Sequence, residues 1–225
     1  MASRGCSFCL AIIACLLIFF AGRFGIANLY AVGLEQMQHR WAVNGSANEQ
    51  ELKNASILAH RMLSLHAEHP HYNSLAASQA QWLLLSGIDS EEKRKKLLSV
   101  ASNYYRASIE QRPGWPDSYA RLAKIEWQQG AGADRMFQLM ATSQRFGPFD
   151  ATTLYGMAEI GLANWSILTS EQRMDVFDAV LQAMAHYQTR SHMERIVTSP
   201  LQKERGCRLL ALNNLTTKRC GVTKN

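Results

Sequence analysis

Tyr119-Ala-Arg-Leu-Ala-Lys-Ile-Glu-Trp-Gln-Gln-Gly130-Ala-Gly-Ala-Asp-Arg-Met-Phe-Gln-Leu-Met-Ala-Thr-Ser-Gln-Arg-Phe-Gly-Pro148 reads as two helices around a turn. Tyr119, Leu122 and Ala123 recur at helical spacing on the first helix, and Gly130 stands at the turn. Met136, Phe137 and Met140 make the apolar stripe of the second, and Pro148 closes the unit. One such pair cannot bury its apolar face alone, so neighbours of the same kind are required.

Stripes of the same period lie on both sides. Leu52, Ala55, Leu58, Ala59, Met62 and Leu65 form one; Ala76, Ala80, Leu83 and Leu84 another. Leu97, Val100, Ala101, Tyr104 and Ser108 come next. Beyond the opening unit lie Leu154, Met157, Ala158, Gly161, Leu162 and Trp165, then Met174, Phe177, Leu181 and Met184. No stretch alternates with period two, so strands are not favoured. Asp89-Ser90-Glu91-Glu92 and Thr169-Ser170-Glu171-Gln172 fit the capping box. Gly87, Gly130 and Gly147 mark helix stops, and Pro70, Pro113 and Pro148 open new segments. The prolines lie 43 and 35 residues apart, the second interval close to the period of tetratricopeptide helix pairs. The longer interval calls for an insertion around Asp89 to Lys96. The expectation is an all-α chain, with about three such pairs from Glu49 to His186.

Ahead of the repeats, Cys6 to Gly22 is apolar and uncharged. A bilayer core needs roughly 20 such residues in a helix. The run extends past Arg23, whose stem can snorkel, through Phe24 to Leu34, and Tyr30 suits an interface. A cleaved signal peptide is the rival, with Arg4 as its basic region, but Ala21-Gly22-Arg23 is a poor cleavage site. Lipidation at Cys15 is disfavoured because Leu-Leu-Ile-Phe-Phe follows it. The flanks therefore favour a retained, single-pass anchor that meets the membrane through residues 6–34. Arg4 on one side and Arg23 and Arg40 on the other leave orientation undecided by charge. A short amino-terminal tail before a large domain points to a domain outside the cytoplasm.

The chain then divides into an anchor with its helical extension (1–40), a helical-repeat domain (41–188) and a basic tail (189–225). The net charge is +6, and all of it sits in the tail. Arg190, Arg195, Lys203, Arg205, Arg208, Lys218, Arg219 and Lys224 are opposed there only by Glu194 and Glu204. Such a tail reads first as a solvated segment, with anionic polysaccharide or lipid headgroups as the alternative partners. It holds no aromatic residue for base stacking, so nucleic acid is not expected. Cys6, Cys9 and Cys15 read as small apolar residues, while Cys207 and Cys220 could form one disulfide in an oxidising compartment.

Arg112-Pro-Gly-Trp-Pro-Asp-Ser-Tyr-Ala-Arg-Leu-Ala-Lys-Ile-Glu-Trp127 and Phe146-Gly-Pro-Phe-Asp-Ala-Thr-Thr-Leu-Tyr-Gly-Met-Ala-Glu-Ile-Gly-Leu-Ala-Asn-Trp165 carry a resemblance. Together they resemble the VpsP-type family, small single-anchor, helical-repeat proteins encoded with bacterial exopolysaccharide assembly genes. The likeness covers Tyr104 to about Arg173, loosely the anchor, and the tail with its two cysteines. Phe149 departs from it, standing where Trp is expected after Gly-Pro. The resemblance implies a tetratricopeptide-like solenoid in the cytoplasmic (inner) membrane, its helical domain facing the periplasm. It also implies an accessory, scaffolding role beside proteins of polysaccharide biosynthesis and export. It carries over no catalytic residue and no cofactor. Sequons at Asn44, Asn54, Asn164 and Asn214 would matter only in a eukaryotic secretory pathway.

Candidate chemistry is sparse. His66, Glu68, His69 and His71 could ligate a metal, but Pro70 puts a turn among them and a solvated helix end is favoured. Glu91 to Lys96 reads as a solvated charged face. Glu110, Asp117, Glu126 and Glu159 are the carboxylates a polysaccharide hydrolase would draw on, and sequence spacing does not pair them across a cleft. No phosphate loop, nucleophile elbow or HExxH motif is present. Trp115, Trp127 and Trp165 read first as core, and as a sugar-stacking surface in the alternative. The expectation is a non-catalytic protein whose protein- or sugar-binding surface uses Arg112, Trp115, Arg121 and Trp165.

Overall fold

The structure, a computed structural model, describes residues 2–87 and 90–221, with side chains from residue 8 onward. Among these residues there are ten α-helices, two short 3-10 turns and no strand. The chain falls into two compact units, residues 1–111 and 112–225. That boundary lies inside the stretch read from sequence as one repeat domain, 41–188.

In the first unit, α1 runs without a break from Ala2 to Asn44. It is followed by α2 (Glu49–Leu65), α3 (Pro70–Leu85) and α4 (Glu91–Gln111). α1 packs on α2 and α3, and α3 packs on α2 and α4. The two halves of α1 have different surroundings. Residues 8–22 are apolar and exposed all round, and the helix they begin is long and apolar enough to cross a membrane. Ala27, Ala31, Leu34 and Trp41 are buried with Leu52, Ala55, Met62 and Tyr72 in the core of the unit. The stretch assigned to lipid from sequence, 6–34, is therefore corrected at its far end. From Ala27 onward one face of the helix meets protein, because it carries small and apolar residues at helical spacing opposite the stripe of α2.

Polar contacts fix this packing. Gln38 Nε2 donates to the Leu75 carbonyl (3.1 Å), and Gln79 Nε2 to that of Leu52 (3.1 Å), both in buried surroundings. The Trp41 indole donates to Glu51 (3.2 Å) and meets Trp82 edge-on at 5.5 Å. Glu51 also completes a capping box with Asn48 at the start of α2. Of the two boxes read from sequence, the one at Thr169–Gln172 forms as expected. The other begins at Asp89, outside the described residues, and Ser90 Oγ accepts from the Lys93 N–H at 3.5 Å. The long interval between prolines is taken up by α4, which has 21 residues. Its buried face is Leu98, Ala101, Ser102, Tyr105 and Ser108, one residue on from the stripe expected at Leu97 and Tyr104.

The second unit contains α5 (Pro116–Gln128), α6 (Ala133–Phe146), α7 (Ala151–Ala163), α8 (Ser170–Ala185), α9 (Tyr187–Val197) and α10 (Lys203–Leu212). α5 packs on α6 and α7, and α7 on α8 and α9. Pro116, not Pro113, opens α5 at its first turn, where a missing N–H costs nothing. Gly130 takes a left-handed conformation (φ 87°) between α5 and α6, a turn that favours glycine. α7 and α8 approach closely: a methyl on Gly161 would run into Val176. That approach selects Val176, Ala179, Val180 and Ala183 as the buried face of α8, and leaves Met174 exposed where the sequence placed a core residue.

The region read as a solvated tail is also corrected. α9 buries Met193, Ile196 and Val197, and α10 buries Gly206, Leu209 and Leu210. Cys207 and Cys220 are disulfide-bonded, with Cα atoms 5.6 Å apart. Basic residues of the region find acids one turn away, Arg190 with Glu194 and Arg208 with Glu204. Lys224 lies outside the described residues.

Candidate functional site

The start of α5 collects three of the four residues singled out from sequence. Pro113 and Gly114 make a turn closed by the Trp115 N–H donating to the Arg112 carbonyl (3.1 Å), and Pro116 holds Trp115, the residue before the helix, extended (φ −93°, ψ 107°). The Arg112 guanidinium lies over the Trp115 ring, 4.2 Å from its centroid. One turn into the helix, Arg121 Nε sits 2.9 and 2.8 Å from the two oxygens of Asp117. The Tyr119 hydroxyl donates to the Pro113 carbonyl (2.9 Å). Behind this cluster, the Ser143 hydroxyl donates to the Pro116 carbonyl (2.8 Å) and lies 2.6 Å from the Thr153 hydroxyl. Gly147 passes against the Pro116 ring, where a Cβ would stand 2.9 Å from Pro116 Cβ. Two exposed aromatics, Phe146 and Phe149, flank the same end, and Arg145 lies over the Phe146 ring at 5.0 Å. The result is a rigid arginine–aromatic surface.

Trp165 belongs elsewhere. It stands in the 3-10 turn after α7, half-buried, with Arg173 over its ring at 5.6 Å and Arg173 Nε donating to its carbonyl (3.1 Å). The start of α5 abuts the α6–α7 connection, and α7 is 13 residues long. Trp165 thus follows the far end of α7, a helix about 20 Å long at 1.5 Å per residue. It lines a cavity of about 430 Å³ with Phe177 and Leu209 as apolar walls and Glu204, Arg205 and Arg208 at its polar side. The wall contributed by α10 could not be found from sequence, because that region read as solvated tail.

Two of the four carboxylates named for a hydrolase, Glu126 and Glu159, are each held by a cation. Glu126, buried, pairs with Arg135 Nε at 2.8 Å, and Glu159 pairs with Lys124 Nζ at 2.8 Å. A hydrolase reading needs one of these pairs to open.

The histidines gather more tightly than a solvated helix end requires. The His66 ring lies 4.4 Å from Phe24 and 5.2 Å from His69. His69 stacks on Tyr72 at 4.0 Å, and His71 is 6.4 Å from His69. Burial, then the His66 and His71 imidazoles, push the His69 pKa down. Among the described residues no group of three histidine, cysteine or acidic side chains has the geometry to hold a metal ion.

A further cluster went unnoticed in the sequence. His192 lies 4.3 Å from the Tyr155 ring, and its Nδ1 is 2.9 Å from Arg195 Nη2. Burial, then Arg195, lowers the His192 pKa, against the opposite pull of Glu159. Burial raises that of Tyr155.

No family model and no curated protein matches this chain.

Proposed function

We propose that this protein is a membrane-anchored, non-catalytic scaffold in the production and export of a bacterial exopolysaccharide, built from tetratricopeptide-like helix pairs. The observation that carries the scaffold reading is the packing pattern. Each odd-numbered helix from α1 to α7 packs on the even-numbered helix that follows, and within each unit on the next odd-numbered helix as well. That is how stacked hairpins build binding surfaces. The apolar half of α1 is the anchor, in the cytoplasmic membrane, and the helical units face the periplasm. The Cys207–Cys220 disulfide supports that side, since such bonds persist in oxidising compartments. The likeness of Arg112–Trp127 and Phe146–Trp165 to the VpsP-type family supplies the pathway. Partner proteins of the assembly machinery meet the Arg112–Trp115 surface and its exposed Phe149.

Deletion followed by measurement of surface polysaccharide tests the pathway, with loss of amount, chain length or export expected. Unchanged polymer sinks it. Capture of assembly proteins by the intact chain, weakened by Trp115→Ala with Arg112→Ala, tests the surface.

A second reading rests on the Trp165 cavity, whose aromatic wall and arginines suit an anionic sugar. Quenching of tryptophan fluorescence by an anionic oligosaccharide, abolished by Trp165→Leu, would favour it over protein binding.

A further inference from the structure

The exposed apolar half of α1 and the packed half are one helix, so the place where the first ends fixes what the packed half and the helices on it face. A bilayer core takes roughly 20 helical residues. Counted from the start of the uncharged stretch at Cys6, that span closes near Phe24 to Ile26. The protein meets it at that level. Arg23 Nε donates to the Leu65 carbonyl at 2.6 Å, which ties the last turn of α2 to the end of the span. The Phe24 ring is 4.4 Å from His66, and from there the rings of His69, Tyr72 and His71 continue along the start of α3. Nearly two turns further along α1, and beyond that level, the Arg61 guanidinium lies 5.9 Å from the Tyr30 ring centroid.

We infer that the α2–α3 turn, with His66 and His69, rests in the phospholipid headgroup layer as a collar around the emerging helix. This rests on the reading of α1 as a membrane anchor. The headgroup zone on each side of the core is only about 5–8 Å deep. A turn bonded to Arg23 and packed beside Phe24 stands at that level. The side chains suit that layer. Imidazole N–H groups donate to phosphate oxygens, and Ala67 and Glu68 stand exposed at the turn. Tyrosine and ring-bearing side chains with one polar edge favour the same depth. The acids nearby are Glu68, exposed in the turn, and Glu35, 3.9 Å from His71 on the side away from the span.

Depth measurement by electron spin resonance tests this with the full chain in nanodiscs of phosphatidylethanolamine and phosphatidylglycerol. A nitroxide is placed at native Cys15, at Ala67→Cys, or at Lys53→Cys, with the other thiols of the apolar stretch replaced by alanine. Glu68→Cys is a second position in the turn. Lys53 sits near the other end of α2, a helix about 25 Å long at 1.5 Å per residue. The label at Cys15 should meet oxygen and not a water-soluble nickel chelate, and the label at Lys53 should meet the chelate freely. Labels at Ala67 and Glu68 should meet the chelate several-fold less often than the label at Lys53. Equal chelate access at Ala67, Glu68 and Lys53, with Cys15 in hydrocarbon, overturns the collar and leaves the anchor standing. Free chelate access at Cys15 overturns both.

Discussion

Arg135 Nε lies 2.8 Å from Glu126 Oε2, and the glutamate side chain is only 6% exposed while the arginine is half in water. The pair joins the last turn of α5 to the first turn of α6. A buried carboxylate that loses a cation keeps its desolvation cost with less to offset it. Arg135→Met should therefore destabilise the protein by about 1 kcal/mol, a figure reduced for the exposure of the arginine. Glu126→Gln should cost less, since the buried group is then neutral. Urea unfolding of both variants checks the order, and equal losses would show that the pair is not what holds the turn.

Gly161 packs against Val176 with no room for a methyl. Gly161→Ala forces α7 and α8 apart and should cost about 1–3 kcal/mol, the usual range for overpacking. Val176→Ala in the same chain should recover part of the loss, which a helix-propensity effect would not allow, because alanine is the better helix former. Thermal unfolding of the single and double variants reads this directly.

His69 gives the first unit a dependence on pH. Burial and two neighbouring imidazoles favour its neutral form, so its folded pKa lies below the ordinary value of about 6.5. Between those two values the unfolded chain binds more protons. The stability His69 contributes is present above about pH 6.5 and is lost as pH falls through the folded value. His69→Gln should flatten the fall in melting temperature between roughly pH 7 and pH 5. His192 is lowered in the same direction in the second unit. His192→Gln should flatten a separate part of the slope. An unchanged profile in both variants would remove the argument.

The Cys207–Cys220 bond closes a short loop around the end of α10. In the chain-entropy account a loop of this length contributes about 3 kcal/mol. Cys207→Ser with Cys220→Ser should lower the melting temperature in oxidising buffer and leave it unchanged by dithiothreitol. A wild-type protein insensitive to dithiothreitol, with its thiols shown free, would contradict this.

The helices were legible wherever a stripe had one reading. Tyr119 to Pro148 folds as the hairpin its turn glycine announced, and Thr169 caps α8 as its box required. Where two apolar residues stand side by side the pattern is degenerate. Leu97 and Leu98, like Tyr104 and Tyr105, differ by 100° on the helix, and only the neighbouring α3 selects the second of each pair. Met174 and Phe177 drew the eye in α8 by size, yet the close approach at Gly161 selects Val176. Of the candidate surface, Arg112, Trp115 and Arg121 come together because they share one helix start. Trp165 stands apart because its cavity is closed by α10, whose short apolar face was masked by the charges around it.

Trp41 was passed over because it follows the apolar run, yet it is 1% exposed in the core. Its burial sets where the protein can be cut. A version shortened at residue 41 to remove the apolar stretch would discard Ala27, Ala31, Leu34 and Gln38 with the exposed apolar part, and α2 and α3 would lose the helix they close on. The first unit should then aggregate or unfold. A cut just before Arg23 keeps every residue of α1 that is buried in the core and the bond to Leu65, and the described side chains it removes, from Phe8 to Gly22, are all exposed.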